Sequence, residues 1–158
     1  MDKNRNIENY WQEFKTATGC SAETYVATSF GDSPQMASDL LALVLSGRKR
    51  ATASLRRDYR QDGADLPQPD DYVIILDSKS LPRCIWRTTE VSFKPFKEVS
   101  ESFAWDEGEG DRSRAFWLAA HHGYFSAQAI REGFEMYDTI ETAFERFVVV
   151  WPPDAVDP

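Results

Sequence analysis

With 158 residues, 42% hydrophobic and 13% aromatic, the chain has the size and composition of one globular domain rather than of a disordered one. Its net charge of −8 argues against a protein that coats nucleic acid through general electrostatics. No apolar run is long enough for a bilayer, and the leading Met1-Asp2-Lys3-Asn4-Arg5 is followed by no apolar stretch. The expectation is therefore a cytoplasmic protein with no membrane partner. Cys20 and Cys84 share no metal-like spacing and read as reduced thiols.

In chain order, Ile7, Tyr10, Trp11 and Phe14 recur at helical spacing, with Asn6 as a cap and Gly19 as a stop. A second helix follows from Ser33 as N-cap and Pro34 at the first position. Met36, Leu40, Leu41 and Val44 form its apolar stripe, and Gly47 stops it. Ala51–Leu55 reads as a short strand, residues 61–71 as a loop, Tyr72–Asp77 and Arg83–Phe93 as strands. Val99–Asp111 is acidic and glycine-containing. Ser113–His122 and Ala127–Met136 read as two helices, Phe144–Trp151 as a closing strand, and Pro152–Pro158 as a loose tail. Helices first and short strands afterwards predict an α+β domain built on a small closed or half-closed barrel.

Charge is unevenly spread. Residues 48–60 hold Arg48, Lys49, Arg50, Arg56, Arg57 and Arg60 against Asp58 alone, a local +5 that leaves −13 on the rest. An acidic cluster, Glu98–Asp111, stands later in the chain. A solvated strand face is one explanation for the basic cluster, a working site the other. Lys49 follows a helix C-terminus, where the helix dipole favours a cation. In a strand, Thr52, Ser54 and Arg56 share one face. A lysine beside a hydroxyl can serve as its base or hold an oxyanion.

The acidic segment reads as a loop: Glu107-Gly108-Glu109-Gly110-Asp111 alternates carboxylates with glycines, so its backbone can present a carboxylate inward. Glu107 or Glu109 could act as general acid or base, or pair with Lys49. The spacing does not fit an EF-hand, and with two histidines and no suitable cysteines no metal site is expected. Asp111 reads as the cap of the next helix. His121 shares a helix face with Trp117, four residues earlier.

Taken together, Phe30-Gly31-Asp32, Leu45–Leu55 with Gly47, Lys49 and Thr52, the Glu107–Asp111 run and Trp117-Leu118-Ala119-Ala120-His121 resemble the ASCH domain family over roughly residues 28–151. The resemblance implies a PUA-like β-barrel with flanking helices, of the bacterial stand-alone type. Residues 1–27 would be an N-terminal helical extension and 152–158 a C-terminal tail. It further implies association with RNA or a nucleoside substrate and no cofactor. The activity it implies first is a ribonuclease acting on single-stranded RNA through a Lys/Thr/Glu pocket, because the acidic loop and the Trp117–His121 pair resemble the longer bacterial members. The alternatives are an amidohydrolase removing acetyl from acetylcytidine and a non-catalytic module that binds RNA or a modified nucleotide. The family's Gly-x-Lys-x-x-Thr pattern falls on Gly47, Lys49 and Thr52. The resemblance implies that the basic and acidic clusters face each other across a working site, and it puts catalysis on Lys49, Thr52 and Glu107. Substrate contacts then fall to Arg48, Ser54, Arg56, Tyr59, Glu109, Trp117 and His121, with Trp117 or Tyr59 stacking on a base. The loop around Glu107 is longer and more acidic than in the amidohydrolase.

Overall fold

A computed structural model of the chain describes residues 3–157. Met1, Asp2 and Pro158 lie outside the described residues, as do the ends of the expected N-terminal extension and C-terminal tail. The elements are α1 (Lys3–Thr18), β1 (Val26–Thr28), α2 (Pro34–Leu45), β2 (Ala51–Leu55), α3 (Arg56–Asp62), β3 (Tyr72–Leu76), β4 (Pro82–Pro95), α4 (Glu101–Glu107), α5 (Arg114–Glu132) and β5 (Glu141–Trp151). The fold is α+β, as expected. Its strands are ordered β1-β3-β4-β5-β2, and its backbone divides into two compact units.

Among the described residues the first unit holds 3–48, 68–89 and 147–157. In α1, Ile7, Trp11 and Phe14 lie on one face and are buried with Ile74, Ile85 and Trp151. Asn6 sits inside this helix rather than capping it, because the helix already starts at Lys3. The Ser33 hydroxyl caps α2, accepting from the Met36 amide at 3.1 Å. The helix ends in a left-handed turn: Gly47 has φ 87°, and the Arg48 amide reaches the Leu43 carbonyl at 3.0 Å. Leu41, Val44, Val73, Ile75, Trp86 and Phe147 form a second buried group, with Trp86 stacked on Phe147 at 3.8 Å. β1, too short to signal itself in sequence, pairs parallel to β3. The C-terminal segment is tied rather than loose: Pro153–Ala155 makes a 3-10 turn, and Asp157 exchanges hydrogen bonds with the Val149 backbone.

The second unit holds residues 49–67 and 90–146. β2 pairs antiparallel with β5, Thr52 opposite Glu145. Leu55, Phe96, Phe103, Trp117, Phe125 and Phe144 fill its core. Three expectations change here. The acidic segment is not all loop, since Ser100 caps a helix that carries the chain to Glu107 before Gly108 turns left-handed. The two helices expected over residues 113–136 are one 19-residue helix, α5. Its cap is Ser113, whose hydroxyl accepts from the Phe116 amide, whereas Asp111 accepts from the Ser113 amide one step earlier.

Candidate active site

The second unit brings Lys49 and Glu107 together, and the local sequence explains how. The Arg50 amide donates to the Asp106 carbonyl at 2.6 Å, pinning the entry to β2 against the end of α4. On α4, Phe103, Ala104 and Glu107 share the buried face, so Glu107 occupies a core position one helical turn past Phe103. Lys49 and Glu107 are each 1% exposed. Lys49 Nζ lies 3.0 Å from Glu107 Oε2 and 3.3 Å from Glu109 Oε2. Glu109 reaches inward from a turn whose Gly108 and Gly110 have φ of 76° and 58°. Only glycine adopts such angles without cost. Gly110 also has the Phe116 ring packed on it, so a Cβ there would fall 2.5 Å from ring carbons.

The fourth member is His121. On α5, Trp117, His121 and Phe125 lie at four-residue intervals, so the imidazole sits on the apolar stripe. Its Nδ1 faces the Trp117 carbonyl at 3.0 Å, and its Nε2 faces Glu107 Oε2 at 3.4 Å. The ring stacks on Trp117 at 4.0 Å between centroids, 14° from parallel.

These contacts set the charge states. Burial alone would push the Glu107 carboxyl up, but the Lys49 charge, then His121, outweigh it and hold it well below the usual carboxylate range. Glu109 goes the other way: burial, then its hydrogen bond to Glu107, raise it to about 7. Burial pulls the His121 imidazole down, yet the charge and hydrogen bond of Glu107 more than reverse this, and the net shift is upward. The cluster thus holds one firmly ionised carboxylate and one that exchanges a proton near neutral pH.

Glu107, Glu109 and His121 each offer a donor atom within 4.8 Å of the others, a grouping able to hold a metal ion. Lys49 Nζ already lies against both carboxylates, where an ion would otherwise balance them. An ion bound between the two carboxylates would therefore have to displace the lysine.

The other residues singled out from sequence fall elsewhere. Thr52 is partly buried at the second position of β2, outside the hydrogen-bonded cluster. The Ser54 and Tyr59 hydroxyls bond to each other at 2.7 Å. Arg56 does not share the strand face of Thr52 and Ser54, because β2 ends at Leu55 and Arg56 opens α3. It pairs with Glu141 at 2.6 Å. Trp117 is 2% exposed, so it has no open face for a base. Arg48 is exposed and belongs to the first unit.

Residues not anticipated from sequence support the site from outside. Arg146 donates to Asp106 and Glu90 at 3.0 Å and to Ser102 at 3.1 Å, holding the end of α4. Gln128 is buried and donates to Asp58 Oδ1 at 2.9 Å, joining α5 to α3. Gln128 lies on the stripe of Trp117, His121 and Phe125, and that periodicity is the signal that could have found it.

No curated protein matches the chain. Protein EF3133 from Enterococcus faecalis V583, of family DUF984, is 34% identical with a TM-score of 0.84, over 92% of this chain and 88% of that one. The ASCH domain from Lactobacillus crispatus JV V101 is 31% identical with a TM-score of 0.82, over 95% of this chain and 94% of that one. The hypothetical protein PH0355, at 12% identity and TM-score 0.53, shares the fold alone. Among the described residues no helix is long and apolar enough to cross a membrane. The family profile described as ASCH domain matches residues 26–151, and with these solved relatives it establishes that the chain belongs to the ASCH domain family and has its PUA-like fold.

Proposed function

We propose that the chain is a hydrolase of small nucleoside-type amides, with Lys49, Thr52 and the Glu107–Glu109 pair as its working groups. The observation that carries this reading is the buried Lys49, held at 3.0 Å from Glu107 and 3.3 Å from Glu109. Beside this buried lysine stand one carboxyl held low and one raised to about 7, so the site pairs a fixed charge cluster with a carboxyl able to exchange a proton near neutral pH.

In this reading the Thr52 hydroxyl adds to the acyl carbon of the substrate amide. Its proton passes to the ionised form of Glu109, beside Lys49, as the C–O bond forms. The proton is returned to the amide nitrogen as the C–N bond breaks, releasing the amine. Water then hydrolyses the threonine ester, giving the carboxylic acid and restoring the hydroxyl. Glu107 stays ionised throughout and keeps Lys49 in place.

The ribonuclease reading needs cations available for phosphate. Arg56 is paired with Glu141, and Arg57 with Asp58 and Glu132 while lying over the Phe134 ring at 3.8 Å. With these arginines engaged and a net charge of −8, a small neutral substrate is better served than a polyanion. One feature favours RNA contact: Trp105, 56% exposed, presents an aromatic ring backed by Arg112 at 3.9 Å. The test is acetate release from acetylcytidine in parallel with cleavage of labelled single-stranded RNA, for wild type and Lys49→Ala purified identically. Acetate release lost in the variant supports the amidohydrolase. RNA cleavage lost in the variant, without acetate release, replaces that reading with the ribonuclease.

A further inference from the structure

The His121 ring lies between two acceptors. A backbone carbonyl accepts hydrogen bonds and cannot donate them, and the same is true of an ionised carboxylate. Nδ1 meets the carbonyl of Trp117 at 3.0 Å, and Nε2 meets Glu107 Oε2 at 3.4 Å. A neutral imidazole has one N–H and one lone pair, so either tautomer would aim a lone pair at an acceptor. The doubly protonated ring gives an N–H to the carbonyl and a positive charge to the carboxylate, which stands at ion-pair rather than hydrogen-bond distance. The stacked Trp117 indole, 4.0 Å away, adds a favourable face for a cation. The side chain is 12% exposed, so substrate has little access to it.

We infer that His121 is a positioning residue: an imidazolium clamped between the Trp117 carbonyl and Glu107, which fixes that carboxylate as the partner of Lys49. This rests on the amide-hydrolase reading only for its kinetic consequence; the protonation itself follows from the contacts. The charged groups facing the ring are Lys49 before β2, Glu107 at the end of α4 and Glu109 in the turn after it. Two cations then bear on Glu107 from α5 and from the β2 entry. Glu109 is left as the carboxyl that takes up and releases the proton. His121 does so without touching substrate, which departs from its expected role in substrate binding.

The test uses the full chain labelled with nitrogen-15 at histidine. There are two histidines, and His122→Asn assigns the pair. At pH 7 both ring nitrogens of His121 should give protonated-type signals, with couplings to two N–H protons. A spectrum with one protonated and one lone-pair nitrogen overturns the inference, whether or not the protein hydrolyses amides. The kinetic arm uses His121→Gln, whose amide can donate but carries no charge. For acetylcytidine hydrolysis, KM should stay within about twofold, and the acidic limb of the kcat/KM profile should move up by about one pH unit. A raised KM with an unmoved pH profile would return His121 to substrate binding and refute the positioning role. If no substrate is turned over, the hydrolase reading fails and the nitrogen spectra still decide this one.

Discussion

Lys49 Nζ stands 3.0 Å from Glu107 Oε2 with both side chains withdrawn from solvent, although 58 residues separate them. Taking both charges out of water is costly, and the pairing offsets that cost only while both are present. Removing one partner weakens the balance for the other, although Glu109 still faces Lys49 at 3.3 Å and His121 still faces Glu107 at 3.4 Å. Glu107→Gln or Lys49→Met alone should therefore lower unfolding stability by about 2–3 kcal/mol, less than a wholly unpaired buried charge would cost. The double variant Lys49→Met/Glu107→Leu should lose less than the sum of the single changes. Urea unfolding of the four proteins gives the cycle.

Glu109 links stability to pH with the opposite sign to an ordinary paired carboxylate. Its carboxyl is raised from 4.5 to about 7 in the fold, chiefly by burial, so folding favours the protonated form. The stability it contributes is whole below pH 4.5 and is lost as pH rises through about 7. Glu109→Gln keeps the neutral shape at every pH. Relative to wild type it should gain stability between pH 5 and pH 8, on the order of 2 kcal/mol. Thermal melts at the two pH values measure the difference. Glu107, held low by Lys49, behaves as usual: its contribution persists down the acidic range and is lost only as pH falls through its lowered value.

Much of this site is readable from the sequence, and what is not has a physical reason. Lys49 announces itself by following a helix that begins Ser33-Pro34 and ends at Gly47. The acidic run shows its glycines and hides its helix, because carboxylates alternating with glycine look like loop. Yet Ser100 caps that helix and Phe103 and Ala104 give it a buried face. Arg56 is misplaced on the strand because no glycine or proline marks the break after Leu55. In sequence His121 shows only that it shares a helix face with Trp117, and its carboxylate partner lies on another helix. Long-range pairing of this kind leaves no local trace in spacing.

Gly110 fixes the turn that aims Glu109. Its φ of 58° and the Phe116 ring against it both exclude a side chain. Gly110→Ala should destabilise by about 1–3 kcal/mol. It should also withdraw Glu109 from Lys49, so the stability gain of Glu109→Gln at pH 8 should shrink in the Gly110→Ala background. Melts of the four variants check both effects.

The surface arginines separate the two hydrolase readings. The Arg56–Glu141 pair is largely exposed and screened, so Arg56→Ala should change stability by no more than about 0.5 kcal/mol. If the substrate is a small amide, acetate release should also stay within about twofold of wild type. A protein that cleaves RNA through arginine-held phosphate would instead lose most of its activity. Steady-state kinetics on both substrates give the comparison.

In the proposed hydrolase the buried Lys49–Glu107–Glu109 cluster activates Thr52 toward an amide. Thr52→Ala tests it most directly, because Thr52 lies outside the cluster and its loss leaves the charge pair intact. Acetate release from acetylcytidine should be detectable in wild type. It should fall by at least about a hundredfold in Thr52→Ala, with the melting temperature little changed and partial recovery in Thr52→Ser. Full activity in a folded Thr52→Ala protein would contradict the account.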